Sequence, residues 1–370
     1  MREAYAAQSK AASTIINFYG VLVYTMQTAT TKPKILVTGG CGYIGSHTIV
    51  DLLDNGFDVF SIDNNLRSKQ ITVDRIESIT GKKIKNYQVD LCNKQDVKQV
   101  IQQEGAISGI IHFAALKSVP ESVDKPLLYY RNNLDSLINL LELAEEFGIK
   151  DFVFSSSCSV YGNAKELPVT EQTPMGEAES PYARTKQMGE DIIHDHAKKA
   201  SGRFILLRYF NPVGAHESGK LGEDTTDVIT AVVPRITGTA IGKFKEFTIF
   251  GSDYDTRDGS CIRDYIHVMD IAAAHTNALQ YLMANRSSEQ CEVFNLGTGN
   301  GVTVLEAVNS FERVSGEKLN YKMGPRRPGD VVSIYANNSK AVNILGWQIK
   351  RDLDTMMRTA WVWEKKMAAG

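Results

Sequence analysis

A doubly wound parallel α/β sheet joined to a smaller mixed α/β domain is the fold that the sequence predicts, on three observations. Short apolar segments alternate with stretches of helical spacing from residue 34 to about residue 207. A glycine-rich turn joins the first of these strands to the first helix. After about Asn211 the alternation loosens, and glycine, proline and turn residues become more frequent. Parallel neighbours need a crossover long enough to hold a helix, so repeated strand and helix imply a parallel sheet covered on both faces. Right-handed crossovers then give the doubly wound arrangement.

Length and charge narrow the function. A chain of 370 residues suits one large or two closely joined domains. With 41 basic against 43 acidic residues the net charge is −2, which gives no electrostatic case for nucleic acid or an anionic membrane and points to a small-molecule partner. Cys41, Cys92, Cys158, Cys261 and Cys291 form neither a C-x-x-C pair nor a disulfide framework, and they suit a reducing, cytoplasmic setting. The seven histidines show no metal-ligand spacing and read as surface residues, so no metal is expected.

Residues 1–32 stand apart as a flexible extension. Their apolar run, residues 15–24, is too short to span a bilayer and lacks a small-x-small cleavage pattern close behind it. A dispensable leader or an early start ahead of Met26 is favoured over a targeting segment. From Lys34 the order is clear. A strand at residues 34–37 runs into the turn Thr38-Gly39-Gly40-Cys41-Gly42-Tyr43-Ile44-Gly45, and a helix over residues 46–55 stops at Gly56. A second strand, residues 58–62, ends on Asp63, and further strands are expected at 86–89, 109–113, 151–154 and 204–207. The sheet domain is placed at 33–211 and the second domain at 212–370. Segments near 265–300, such as the apolar 292–296, are able to return to the main sheet.

Three motifs carry chemistry. Gly39, Gly42 and Gly45 let the backbone turn tightly and bring the amides of a helix N-terminus against a pyrophosphate. Asp63, at the end of the next strand, is suited to ribose hydroxyls and repels a 2′-phosphate, which favours NAD over NADP. The strand at 151–154 runs into Ser155-Ser156-Ser157-Cys158-Ser159, and further on Pro181 opens a helix that puts Tyr182 and Lys186 four residues apart on one face. A cation about 4 Å from a phenol, at an effective dielectric near 20, is worth roughly 4 kcal/mol, or about three pKa units. The phenol is therefore expected to titrate near neutrality. Tyr-x-x-x-Lys alone occurs by chance on many helices; its place after a serine-rich strand end in a dinucleotide-binding sheet gives it weight.

Together the glycine pattern, Asp63, Ser157, Tyr182 and Lys186 resemble the extended short-chain dehydrogenase/reductase superfamily, which has a Rossmann-like fold. Residues 208–216, Gly222-Glu223-Asp224, residues 263–270 and Arg326-Arg327-Pro328-Gly329-Asp330 are similar to the UDP-galactose 4-epimerase family within it. The resemblance runs from about Lys34 to Trp361 and Trp363 and leaves out the extension. It implies a catalytic set of Tyr182, Lys186 and Ser157. It also implies tightly bound NAD, held by Gly39, Gly42, Tyr43, Ile44, Gly45, Asp63, Ser68, Ser155, Tyr182 and Lys186, with Phe113, Ala114 and Lys117 along its phosphate and ribose. Asp90 and Leu91 would hold the adenine, and Asn132 and Tyr209 would support the cofactor further. Ser157, Phe210, Asn211, Phe250, Arg263, Tyr265, Arg327 and Asp330 would hold a UDP-sugar.

The implied reaction interconverts UDP-glucose and UDP-galactose through a transient 4-keto sugar, in a homodimer paired through the amphipathic stretches 127–147 and 182–200. Three departures stand out. The family's Pro-Asn-Asn-Leu reads Ile229-Thr230-Ala231-Val232, Arg67 replaces an asparagine near the adenosine ribose, and Ile334 sits where bulk governs entry of N-acetylated sugars. Related 4,6-dehydratases carry Asp-Glu where this chain has Cys158 and Ser159. Epimerases of UDP-GlcNAc, UDP-glucuronate or UDP-xylose remain alternatives, as does a non-catalytic NAD-binding regulator, which the presence of Ser157, Tyr182 and Lys186 disfavours.

Overall fold

A computed structural model describes residues 14–16, 22–24, 32–224, 226, 228–327 and 331–369, and it divides the chain into residues 1–32 and residues 33–370. In the first unit, β1 (Thr14–Ile16) pairs antiparallel with β2 (Leu22–Tyr24), with Ile15 opposite Val23. The remainder of the expected flexible extension lies outside the described residues.

The second unit is built on β3 (Lys34–Thr38), in which Ile35, Leu36 and Val37 are all buried. Side chains alternate across a strand, so Ile35 and Val37 join one apolar cluster while Leu36 joins the cluster on the opposite face. That pattern belongs to a strand covered on both sides. α1 (Tyr43–Asp54) leads to β4 (Asp58–Ile62), α2 (Ile71–Thr80) to β5 (Lys85–Tyr87), and α3 (Lys94–Glu104) to β6 (Gly109–His112). A helical stretch follows as α4 (Val119–Asp124), α5 (Pro126–Tyr130), a π-turn at Arg131–Asp135, and α6 (Ser136–Glu146). Then come β7 (Asp151–Ser157), α7 (Pro181–Ala197) and β8 (Arg203–Tyr209).

The remaining segments build the second half. They are β9 (Asn211–Val213), α8 (Val232–Ala240), β10 (Phe247–Phe250), β11 (Ile262–Arg263), β12 (Tyr265–His267), α9 (Val268–Met283) and β13 (Cys291–Leu296), followed by β14 (Val302–Thr303), α10 (Val304–Ser315), β15 (Tyr321–Gly324), β16 (Ser333–Ile334), α11 (Ser339–Leu345) and α12 (Leu353–Ala369). The main sheet has seven parallel strands in the order β13-β8-β7-β6-β3-β4-β5. Its winding reverses between β3 and β6, where Thr38 lies beside His112 and their side chains bond at 2.7 Å. Ligands bind at the carboxyl ends of strands flanking such a reversal. The segment from β12 to β13 does return: β13 adds the outermost strand beside β8, and α9 packs against α1. A third cluster, with Val233, Ile236, Phe247, Phe311 and Trp361, is the core under α8, α10 and α12.

One expectation is refined and one corrected. The amphipathic stretch 127–147 is not a continuous α-helix but is interrupted by the π-turn, which turns Asn133 inward. There its Oδ1 accepts from the Leu116 amide at 2.8 Å, and its Nδ2 donates to the Leu116 carbonyl at 3.0 Å and to Thr185 Oγ1 at 3.1 Å. A polar side chain with this many interior partners offsets a wider turn. Nor are the histidines all on the surface, because His47, His112, His267 and His275 are fully buried.

Burial disfavours the charged imidazole, holding His47 and His275 at about 4, His112 at about 3 and His267 at about 2. In the unfolded chain these rings protonate near pH 6.5. Below that pH the unfolded state binds more protons, so stability is greatest above it and falls as the solution is acidified. The buried carboxyls of Asp264 and Asp270, raised by burial, act in the opposite sense once they titrate, so the slope is best read near neutrality. Thermal melts followed by circular dichroism should show the midpoint decreasing from about pH 7.5 to about pH 6; a flat or rising midpoint would contradict the assignment.

Candidate active site

The turn after β3 is possible only with glycine at its key positions. Gly39 has φ of 70°, and a Cβ on Gly45 would lie 2.3 Å from the Gly39 carbonyl oxygen. Gly42 precedes α1 without a side-chain cap, so the first-turn amides are directed at the cleft. Asp63 is locked beside them. Its Oδ2 accepts from the Cys41 amide at 3.0 Å, and its Oδ1 accepts from the Asn65 amide at 2.9 Å and Ser68 Oγ at 2.8 Å.

These groups open on a cleft of about 1200 Å³. Its wall holds Gly39, Gly42, Tyr43, Ile44, Gly45, Asp63, Ser68, Asp90, Leu91, Phe113, Ala114, Lys117, Asn132, Ser155, Tyr182, Lys186 and Tyr209, so the fold gathers every residue that the resemblance assigns to the cofactor. It also holds Arg67, Glu223 and Asp224. Arg67 grips the Glu121 carboxylate through both oxygens, at 2.8 and 2.9 Å. Lys117 reaches Glu223 at 3.0 Å, and Asp224 takes Lys69 at 2.6 Å and Arg75 at 2.7 Å. The acidic loop was visible in the sequence, but its lysine and arginine partners lie more than a hundred residues away.

At the other end of the cleft, Ser180 caps α7 by accepting from the Ala183 amide at 3.2 Å, and Pro181 occupies the first turn. Tyr182, Lys186 and Glu190 then fall on one face at intervals of four. Lys186 is buried; its Nζ donates to the Ser155 carbonyl at 2.5 Å and lies 4.9 Å from the centre of the Phe154 ring. Loss of water lowers its pKa to about 8, against the upward pull of Glu190, so it remains largely a cation at neutral pH.

Here the structure corrects the sequence-based expectation for Tyr182. Burial raises the phenol above its ordinary value, opposed by a hydrogen bond with Ser157 and the charge of Lys117, and Lys186 is not among the groups that lower it. A desolvated ammonium takes the strongest nearby acceptor, and at this spot that is the backbone of β7. Ser157 Oγ also accepts from the Ser159 amide at 3.2 Å, and Ser155 pairs with the Tyr209 hydroxyl.

Beneath this corner lies an ion pair that the sequence reading missed. Glu190 and Arg208 are both buried and meet at 2.5 Å, and Ser156 donates to the same carboxylate. Burial alone would lower Arg208, but Glu190 outweighs it and holds the guanidinium firmly charged. Arg208 donates to the Tyr161 hydroxyl at 3.0 Å, which donates to Asn295 Oδ1 of β13 at 2.6 Å. The available signal was an acid on the inner face of α7, four residues beyond a lysine.

A second cavity, of about 900 Å³, brings together Phe250, Arg263 and Arg327 with Thr230, Arg235 and Cys261. Arg263 donates to the carbonyls of Ile262 at 2.8 Å and Val331 at 2.6 Å, and the Arg327 guanidinium lies 5.1 Å from the Phe250 ring. Ser157, Phe210, Asn211 and Tyr265 are not on this wall. Asn211 Oδ1 and the Tyr265 hydroxyl are buried without a hydrogen-bond partner among the described residues. Asp330 lies outside the described residues.

The family described as GDP-mannose 4,6 dehydratase matches residues 36–360. A UDP-glucose 4-epimerase of Bacillus subtilis is 44% identical over 337 residues, covering 91% of this chain and 98% of that protein. A bifunctional UDP-glucose and UDP-xylose 4-epimerase of Pisum sativum is 46% identical over 337 residues, 90% of this chain and 95% of that one. The crystal structure of a Bifidobacterium longum UDP-glucose 4-epimerase in complex with NAD+ and UDP superimposes with a TM-score of 0.85 at 44% identity, covering 90% of this chain and 98% of that one.

Removing one member of a buried pair strands the other charge. Glu190→Ala should cost about 3–5 kcal/mol in urea unfolding, and Glu190→Gln less, because the amide can still accept from Ser156 and Arg208. A loss under about 1 kcal/mol for Glu190→Ala would show that the pair is not a keystone.

Proposed function

The chain belongs to the UDP-glucose 4-epimerase family of the extended short-chain dehydrogenases/reductases, and we propose that it interconverts UDP-glucose and UDP-galactose by inverting C4 through a transient 4-keto sugar. The carrying observation is that Tyr182, Lys186 and Ser155 stand at the end of β7 on the wall of the same cleft that begins at the glycine turn and Asp63.

The cleft fits NAD. The first turn of α1, with Gly42, Tyr43 and Ile44, would hold the diphosphate together with Lys117, and Asp63 the adenosine ribose. Asp90 and Leu91 would flank the adenine, and Asn132, Lys186 and Tyr209 the nicotinamide side. Asp63 repels a 2′-phosphate, and the bidentate grip of Arg67 on Glu121 engages the arginine otherwise best suited to attract one, which favours NAD over NADP. When bound, NAD supplies the acceptor and later the donor of hydride for the sugar's C4.

The protein's own part is the proton. Tyr182 takes it from the C4 hydroxyl, directly or through Ser157, and returns it in the second half of the cycle. Because burial keeps the phenol protonated at neutral pH, a cation must be drawn toward it, and Lys117 and Lys186 share its cleft. Arg263 and Arg327 would bind the diphosphate, matching guanidinium forks to phosphate oxygens. The second half of the chain thus serves as the nucleotide-sugar lobe. Anchoring at the diphosphate leaves the sugar free to present either face. A dehydratase reading of the same scaffold is disfavoured because Cys158 and Ser159 follow Ser157 where that chemistry requires an acid and a base. Ile334 is buried in a cluster with Val160 and Phe210, so bulk there opposes an N-acetyl group. UDP-xylose, named for the pea relative, is the alternative substrate.

Val119, Val123, Leu127, Leu128 and Ile138 expose an apolar face on α4 to α6, which supports a homodimer. A monomer by light scattering at micromolar concentration would reject it. Five unpaired cysteines favour a reducing compartment such as the cytoplasm.

A substrate panel on wild type and Tyr182→Phe tests the reaction. Wild type should convert UDP-glucose to UDP-galactose and use UDP-GlcNAc poorly; Tyr182→Phe should be slower by roughly 10²–10⁴-fold while still retaining NAD. Full activity in the variant would refute the mechanism.

A further inference from the structure

Resting on the proposed function, we infer that Arg235 is a third guanidinium for the diphosphate of the nucleotide-sugar. It sits in the first turn of α8, on the wall of the second cavity with Arg263 and Arg327. Three guanidinium-bearing side chains thus line one space of about 900 Å³. A diphosphate, with several oxygens spread over two phosphorus centres, can take more than one guanidinium fork.

The support for Arg235 is built into α8. A Cβ on Gly238 would come within 2.6 Å of the Phe244 ring, so the bare glycine makes room for the ring to lie against the helix. The guanidinium carbon of Arg235 rests 3.7 Å from the centre of that ring. Stacking on an aromatic face fixes a guanidinium without using its N–H donors, which remain directed outward from its edges. Ala231, at the N-cap of α8, carries no side-chain donor or acceptor, and no side chain caps this helix. Arg235 and the first-turn amides are therefore the polar groups that α8 brings to the cavity.

The test uses the full-length, NAD-loaded enzyme, titrated calorimetrically with UDP and, by competition, with uridine. Arg235→Met should weaken UDP by about tenfold or more, as expected for losing a charged hydrogen bond, and leave uridine unchanged. The KM for UDP-glucose should rise with it, while kcat falls by a smaller factor. Arg235→Lys should recover part of the loss. Phe244→Leu keeps every ligand-facing group but removes the platform, and should weaken UDP by a smaller factor; it carries the test if Arg235→Met does not fold. UDP affinity equal to wild type in Arg235→Met, or equal weakening of UDP and uridine, would overturn the proposal. Should wild type bind UDP yet fail to epimerise UDP-glucose, the proposed function falls while the UDP titration still decides the role of Arg235.

Discussion

The buried ion pair between Glu190 and Arg208 sets the position of everything around the reacting corner. Two charges removed from water cost several kcal/mol each, and their attraction repays this only when the remaining donors and acceptors are satisfied. Here Ser156 of β7 completes the carboxylate, and Tyr161 continues from the guanidinium to Asn295 of β13. One network therefore links α7 to β7, β8 and β13. Sliding α7 by a single residue would break it, and with it the placement of Tyr182 and Lys186 at the end of β7. The pair contributes register more than net stability.

The same economy governs Lys186. An ammonium in a nearly dry site must be given an acceptor, and the Ser155 carbonyl at a strand end is one the sheet can spare. The Phe154 ring adds a negative face on another side. Lys186 is thereby held as a cation a short way from Tyr182 without being spent on it. The phenol stays a weak acid, and the proton it must move is governed by charges that reach the cleft.

Epimerisation asks for strong binding away from the reacting carbon and weak binding near it, because the sugar has to present both faces. The distribution of charge matches that need. Arg263, Arg327 and Arg235 gather on one cavity, while the wall near Ile334 and Phe210 is apolar and close-packed. The return of α9 and β13 to the main sheet makes the two regions one body, so the distance between the phosphate anchors and the end of β7 is set by packed helices and strands rather than by a linker.

What the sequence determined by itself was chemistry that is local in the chain. Gly39, Gly42 and Gly45 within seven residues, Asp63 at the next strand end, and Tyr182 with Lys186 on one helix face are spacings that secondary structure alone converts into geometry. Strand periodicity was legible for the same reason, and so was the capacity of residues 292–296 to rejoin the sheet. The tertiary structure alone decided which partner each polar group meets. Lys186 could have faced Tyr182 but faces Ser155; His112 and His275 could have been exposed but are enclosed; Glu190 met Arg208, eighteen residues on, across a strand and a helix. Desolvation and hydrogen-bond partners depend on atoms distant in sequence, and the direction of the Tyr182 pKa follows from them rather than from the spacing of Tyr182 and Lys186.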